Sequence, residues 1–478
     1  MQTECTSERV LFQDLGRREV VADFDGGAIT SDAGGLLLRS LNHHRRFIDR
    51  FAECFTDYRD PGRTDHSLLD LLKQRIIAIA LGYEDLNDHD RLRYDPLLAV
   101  LVDKNEPTGK DRRCVKDRQT PLAGKSTLNR LELTPADADQ NSRYKKIVYH
   151  QDKIEHYFVD MFLASYKKAP EKIVLDLDNT DDIIHGNQEG RFFHGYYDHY
   201  CYLPLYIFCG DHLLASVLRT ADQDGAAGCV DHLKRITEQI RKRWPKVRII
   251  IRGDSGFCRD ELMSWCEVQK DVFYILGMAR NARLQDIIRK AMNKAKKKSA
   301  LTGQTSRVFK TFSYRTKKSW SKKRKMVGKA EYMKKSVGIR RHENARFIVT
   351  NLPCEEGQGQ YLYENIYCAR GEMENRIKEQ QLGLFADRTS TETMHANQLR
   401  LWFSSVAYLL ISELRRVGLN GTKMAKAQVG TIRTQLFKIG ALVKISVRRI
   451  LISMNSACPA AKLFHHVAAK IQRHYLLV

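Results

Sequence analysis

Three acidic residues stand where a folded chain holds a carboxylate still. Asp178 ends the apolar run Ile173-Val174-Leu175-Asp176-Leu177-Asp178-Asn179-Thr180, and Asp254 ends a second run, Arg248-Ile249-Ile250-Ile251-Arg252-Gly253-Asp254. Glu374 opens a helical stretch, Tyr367-Cys368-Ala369-Arg370-Gly371-Glu372-Met373-Glu374-Asn375-Arg376-Ile377-Lys378. Carboxylates from separate elements, without His or Cys, suit Mg²⁺ (or Mn²⁺), a hard ion that keeps part of its water shell. Two such ions about 3.5–4 Å apart activate a nucleophile and neutralise the leaving oxygen in phosphodiester chemistry. An Asp after a strand is by itself most often a turn or cap residue, so the order and context of the three acids carry the argument. Asp176 competes with Asp178 for the first position. Strand residues alternate faces, so both point one way while Leu175 and Leu177 point the other.

The elements that must carry these acids follow from hydrophobic period. From Lys172 to Leu284 the pattern predicts strands at 173–177, 199–208, 213–218, 247–251 and 272–276. A helix over 229–243 has Val230, Leu233, Ile236 and Ile240 on one face. Three successive strands, a helix and a further strand ending in an acid is the order of an RNase H-like α/β core. Upstream, residues 1–165 read as mainly helical: Ser31 or Asp32 caps a helix, His66 to Tyr83 is apolar, and Tyr144 to Ser165 is amphipathic.

The stretch from Ile287 to Lys335 is the most basic part of the chain. Its alternating Val308, Phe309, Phe312 and Tyr314 predict twisted hairpins, a β-rich insertion of about residues 285–345. Lys322, Lys323 and Arg324 suit DNA phosphates, and Trp320 suits either stacking on an unpaired base or packing of its own hairpin. Arg346 to Leu352 returns to strand. An apolar helix over 396–416 closes the core's second part (346–415), and a basic, helix-like region follows (416–478).

Composition narrows the partners. The 478 residues, 43% of them hydrophobic, are too many for one core and enough to bury several. An excess of 80 Lys and Arg over 57 Asp and Glu, formally +23, favours a polyanion, most simply nucleic acid. The 11 cysteines contain no Cys-x-x-Cys pair, which argues for reduced thiols in a cytoplasm and against a zinc ribbon. The most apolar run, Leu399 to Leu414, is interrupted by Arg400 and Glu413 and is too short for a bilayer, and residues 1–9 carry no apolar signal core. The polar cluster Asp181, Asp182, His185, His194 and His199 reads as surface rather than as a zinc site.

The chain resembles the DDE-type insertion-sequence transposases, and among them insertion-sequence family thirteen-eighty. The resemblance rests on Phe24-Asp25-Gly26-Gly27 with Thr30-Ser31-Asp32-Ala33-Gly34, on Leu81 to His89, and on Leu122-Ala123-Gly124-Lys125-Ser126-Thr127-Leu128-Asn129-Arg130. It continues through Asp176 to Thr180, Arg252 to Phe257, Arg370 to Lys378 and Lys438 to Ala441, nearly end to end. It implies an RNase H-like core with a β-rich insertion before the last acid, binding two Mg²⁺ or Mn²⁺ ions. Asp178, Asp254 and Glu374 would be the catalytic and metal-binding acids, Asp178 being preferred to Asp176 because Asn179-Thr180 follows it. A Tyr-x2-Arg-x3-Glu-x6-Lys signature is met by Tyr367, Arg370 and Glu374, but Gln381 stands at the lysine position, with Lys378 the nearest substitute. DNA contacts would come from Tyr367, Arg370, Lys378, Arg252, Trp320, Lys322, Lys323, Arg324, Lys125 and Arg130. The implied protein is a bacterial, nucleoid-associated homodimer that binds terminal inverted repeats and cuts and pastes DNA. The alternatives are a DNA-binding protein without catalysis and an RNase H-like nuclease that cuts without joining.

Overall fold

The computed structural model describes residues 9–334, 342–353 and 358–476. They divide into two compact units, one of residues 150–382 and 386–405, the other of residues 1–149, 383–385 and 406–478.

The first of these units is built on a mixed eight-stranded sheet. Its strands are β1 (Lys172–Asn179), β2 (Leu205–Cys209), β3 (His212–Val217), β4 (Arg248–Gly253), β5 (Val272–Met278), β6 (Ser306–Tyr314), β7 (Arg324–Tyr332) and β8 (Glu343–Thr350). They lie in the order β3-β2-β1-β4-β5-β8-β7-β6. β1, β4 and β5 are parallel neighbours, and the remaining pairings are antiparallel. The helices that matter here are α1 (Gln151–Ala164), α2 (Cys229–Arg243), α3 (Asp260–Val268), α4 (Arg289–Thr302) and α5 (Gly371–Lys378).

Alternation along β1 decides which face does what. Ile173, Leu175 and Leu177 enter a large core shared with α1 to α4, whereas Val174 packs into a second core containing Leu362 and Tyr363. Asp176 and Asp178 therefore share the face of Val174, the face that also carries the helical segment leading into α5.

The basic insertion does not stand apart from the core. β6 and β7 form a long hairpin, and β7 pairs along its length with β8, so the insertion lengthens the same sheet beyond β5. The expected single strand over 199–208 is divided. Residues His199–Tyr202 join a separate small sheet and β2 begins after Pro204, whose missing N–H ends regular pairing.

In the second unit the apolar helix Leu68–Leu81 is closed by a capping box between Ser67 and Asp70 and ends on Gly82 at φ +101°. Three sequence expectations change here. Ile147–Tyr149, expected in a helix, is a strand paired with Phe55–Asp57, as its β-branched and aromatic residues favour. Asp32 caps nothing with its side chain; it accepts from Tyr83 Oη at 2.6 Å and from Lys438 Nζ at 2.6 Å, since a buried carboxylate needs a cation more than a helix needs a cap. The basic C-terminal stretch expected as helix contains the hairpin Ala441–Ile445 with Ile450–Met454, and helix Ala461–Leu476 follows it. Among the described residues no helix is long and apolar enough to cross a membrane.

Arg75 and Glu132 form an ion pair at 2.7 Å in the interior of this unit, both almost fully buried. Removing one member of such a pair leaves a buried charge without its partner. Arg75→Met should therefore lower unfolding stability by about 3–5 kcal/mol. Arg75→Met with Glu132→Leu should recover most of that loss, as read from urea midpoints; equal midpoints for the single and double variants would contradict the account.

Candidate active site

Asp178 lies near the end of β1, an interior strand of the sheet, and its side chain is 13% exposed. Asp254 follows β4 directly, and because β1 and β4 are parallel neighbours both acids emerge at the same end of the sheet. Its Oδ1 accepts from the Gly256 N–H at 2.8 Å, which fixes the carboxylate over the start of a short 3₁₀ turn. Glu374 sits in the first turn of α5 and is exposed.

Arg370 brings the first and third acids together. Its Nη1 donates to Asp178 Oδ2 at 2.8 Å and its Nη2 to Glu374 Oε1 at 2.6 Å. The guanidinium is only 16% exposed, so its pair with Asp178 is shielded from bulk water, whereas its pair with Glu374 opens to solvent on the glutamate side. Burial pushes the Asp178 carboxyl up to about 6; Arg370 opposes the rise, while Asp254 and Glu374 add to it. Asp178 thus senses the charge of both other acids. Among the described residues no three Asp, Glu, His or Cys side chains close around a single point, and Arg370 occupies the gap between Asp178 and Glu374. A cation already stands between oxygen-only ligands, and such a donor set suits a hard divalent ion.

Asp176 has a different task. Arg252 grips it through Nε and Nη2, the latter at 2.7 Å, and also donates through Nη1 to the Ile366 carbonyl. Both side chains are buried. The pair fastens β1 and β4 to the segment that leads into Tyr367. Asp176 is thus held by a buried arginine, and Arg252, expected at the DNA, is turned inward.

The approach of that segment is very close. A Cβ on Gly277 of β5 would stand 2.5 Å from Tyr367 Oη and 3.0 Å from the Ser255 amide, so only glycine fits there. The chain between Leu362 and Gly383 is helical throughout but changes pitch: π at Leu362–Tyr367, 3₁₀ at Cys368–Arg370, α in α5, and π again at Glu379–Gly383. The last change alters the facing of the residues after Glu374. Gln381 donates to the Asp181 carbonyl at 2.9 Å, and Lys378 is exposed on α5.

The other residues predicted to meet DNA divide by exposure. Lys322 and Lys323 are exposed, Lys322 lying 3.0 Å from Glu267. Trp320 and Arg324 are not available: Trp320 is 5% exposed with its ring edge-on to Tyr314, and Arg324 is buried between Asp260 and Glu267. Of the two uses open to Trp320, packing its own hairpin is the one realised. Lys125 and Arg130, in the other unit, are exposed on helix Lys125–Glu132. Among the described residues no cluster of His, Cys and carboxylates around Asp181 and His199 has a metal-site arrangement.

The raised Asp178 carboxyl has a consequence for stability. A carboxyl whose folded value lies above its unfolded value contributes stability at low pH that is lost as pH rises through the folded value. In metal-free protein Asp178→Asn should therefore raise stability at pH 7.5 by roughly 1–3 kcal/mol. The gain should shrink as pH falls through about 6 and vanish near pH 4, the unfolded carboxylate range. Thermal melts across this range check it, and a variant no more stable than wild type at pH 7.5 would contradict it.

With the geometry described, comparison with known proteins is informative. The family model for the transposase DDE domain, group 1, matches residues 12–476. No curated protein sequence matches the chain. Among solved structures, a piggyBac transposase in a synaptic complex with hairpin DNA, seen by cryo-electron microscopy, is 11% identical. That likeness covers 94% of this chain and 82% of that one, with a TM-score of 0.41. Because the family model spans nearly the whole chain, the protein belongs to the DDE transposases and is a DNA transposase, an enzyme that breaks and rejoins phosphodiester bonds.

Proposed function

We propose that this transposase binds the terminal inverted repeats of an insertion sequence of the thirteen-eighty type and moves it by cut-and-paste transposition, with Asp178, Asp254 and Glu374 as the catalytic acids. The observation that carries the reading is the Arg370 bridge between Asp178 and Glu374, with Asp254 at the same sheet end. Support for an RNase H-like core comes from the strand order β3-β2-β1-β4-β5, with the first acid on the central strand.

In this reading the carboxylates of Asp178, Asp254 and Glu374 would hold two Mg²⁺ or Mn²⁺ ions. When bound, such ions supply charge neutralisation at the phosphate and lower the pKa of a coordinated water or hydroxyl. Water attacks the scissile phosphorus, the P–O3′ bond breaks, and the 3′-oxygen leaves with a proton. The freed 3′-hydroxyl then attacks a phosphorus of target DNA, losing its proton as the target's own 3′-oxygen departs. Arg370 keeps two of the acids in register, and its forked donors suit phosphate oxygens. Lys378, one turn after Glu374, stands in for the family lysine. Tyr367 supports the helix against Gly277.

Exposed Lys125, Arg130, Lys322 and Lys323 contact phosphates, which makes affinity fall steeply with salt. Two copies assemble on a pair of ends, in a cytoplasmic, nucleoid-associated setting.

The test is cleavage of a donor plasmid that carries the element's ends, with Mg²⁺, by wild type and by Asp254→Asn. Wild type should excise and rejoin the segment, and the variant should bind the ends while losing at least about a hundredfold in cutting, the scale of a lost electrostatic contribution at the reacting centre. Cutting without joined products would favour a simple nuclease, and binding of the ends by both proteins with no cutting by either would leave a DNA-binding role alone.

A further inference from the structure

The chain between β1 and β2 forms a small sheet of its own, from strands Asp182–Ile183, Phe192–His194 and His199–Tyr202. Its inner side is anchored by Cys201, Leu203 and Ala221, with Tyr197 packed against them. Other rings have no such cover. Tyr196 is 84% exposed, Phe193 52% and Tyr200 40%. Phe193 and Tyr200 lie directly opposite each other in register, ring edge to face at 5.5 Å, and the Arg191 guanidinium stands 3.7 Å over the Tyr200 ring.

The attachments of this sheet tie it to the acid cluster. It begins at Asp182, just past Asp178 in the chain. The Asp181 carboxylate is 2.8 Å from His199 Nε2, and the Asp181 carbonyl accepts from Gln381, which lies on the helical segment carrying Glu374. Asp182 accepts from Thr389 at 2.9 Å, and the Tyr202 hydroxyl donates to the Glu189 carbonyl at 2.5 Å. These bonds hold the ribbon in place beside the carboxyl end of β1, so its exposed rings stand on a fixed support.

Flat exposed rings with a cation laid on one of them fit one kind of ligand surface. A paired base hides its faces in the helical stack, whereas an unpaired base offers a face to a ring and its phosphate to a neighbouring cation. Strand breakage and transfer create unpaired nucleotides at the acids. We infer that Phe193 and Tyr196, beside Arg191 held over the Tyr200 ring, form a stacking platform for unpaired bases of the DNA end held at Asp178, Asp254 and Glu374. The inference rests on the transposase reading above and adds to it a single-stranded subsite. The basic hairpin is not its source, since Trp320 is buried there.

The experiment uses the full-length protein, a fluorescent oligothymidine of about 12 nucleotides and a blunt duplex. Tyr196→Ala and Phe193→Ala should each weaken oligothymidine binding about tenfold, the scale of one lost stacking contact. Duplex binding should stay at the wild-type level, and Tyr196→Phe should restore the oligothymidine. Both positions are exposed, so the alanine variants should keep the wild-type circular dichroism. Wild-type affinity for oligothymidine in both alanine variants would overturn the platform, as would equal losses on the two probes. A change in sedimentation without any change in DNA binding would overturn it in favour of a protein interface. Failure of the wild-type protein to bind either probe would instead remove the DNA reading on which it depends.

Discussion

Everything around the site answers to the cost of keeping negative charge at the end of a buried strand. Asp176 and Asp178 sit on one face of an interior strand of an eight-stranded sheet, where carboxylates have lost most of their water. Two arginines make this tolerable, each for a different acid. Arg252 closes on Asp176 and on the Ile366 carbonyl, which joins sheet and helix, while Arg370 closes on Asp178 and reaches on to Glu374. A buried ion pair of the first kind orders a structure more than it stabilises it. The second kind draws two carboxylates from separate elements to one cation and holds them in place.

The rest of the unit serves that arrangement. Alternation along β1 sends Leu175 and Leu177 into the large core and the acids to the opposite face. Parallel pairing of β1 with β4 carries Asp254 to the same end. Gly277 allows Tyr367 to lie directly on β5, and the π, 3₁₀ and α stretches that follow set Arg370 and Glu374 one turn apart above the strand end. Irregular pitch of this kind gathers at functional positions. The extra strands of the insertion lengthen the sheet on the far side of β5, away from β1.

Much of this was legible from local pattern, because strands buried on both faces leave long apolar runs and helix α2 leaves a clear apolar stripe. The strands predicted at 173–177 and 272–276 lie within β1 and β5, and the one predicted at 247–251 starts one residue before β4. What local pattern could not supply was partnership over distance. Asp176 and Arg252 look alike, as residues in strands, to any acid or base of the site until the register of β1 and β4 sets them opposite each other. Arg324 and Trp320 read as DNA contacts because they lie in a basic run, yet the hairpin folds them onto Asp260, Glu267 and Tyr314. The small aromatic sheet escapes local pattern for a similar reason: its strands are too short for a period to show, although the pairs Phe192-Phe193 and Tyr196-Tyr197 are a visible sign. The hairpin at 441–454 reads as helix in the sequence because its apolar residues satisfy either spacing over so short a run.

The central claim is that Asp178, and not its neighbour Asp176, is the acid that meets a divalent ion. The most direct measurement is electron paramagnetic resonance of Mn²⁺ added to full-length protein, compared between Asp178→Asn and Asp176→Asn. The account predicts that bound Mn²⁺ is lost in Asp178→Asn and retained in Asp176→Asn, whose defect is in thermal stability. Retention of bound Mn²⁺ in Asp178→Asn together with its loss in Asp176→Asn would contradict the account.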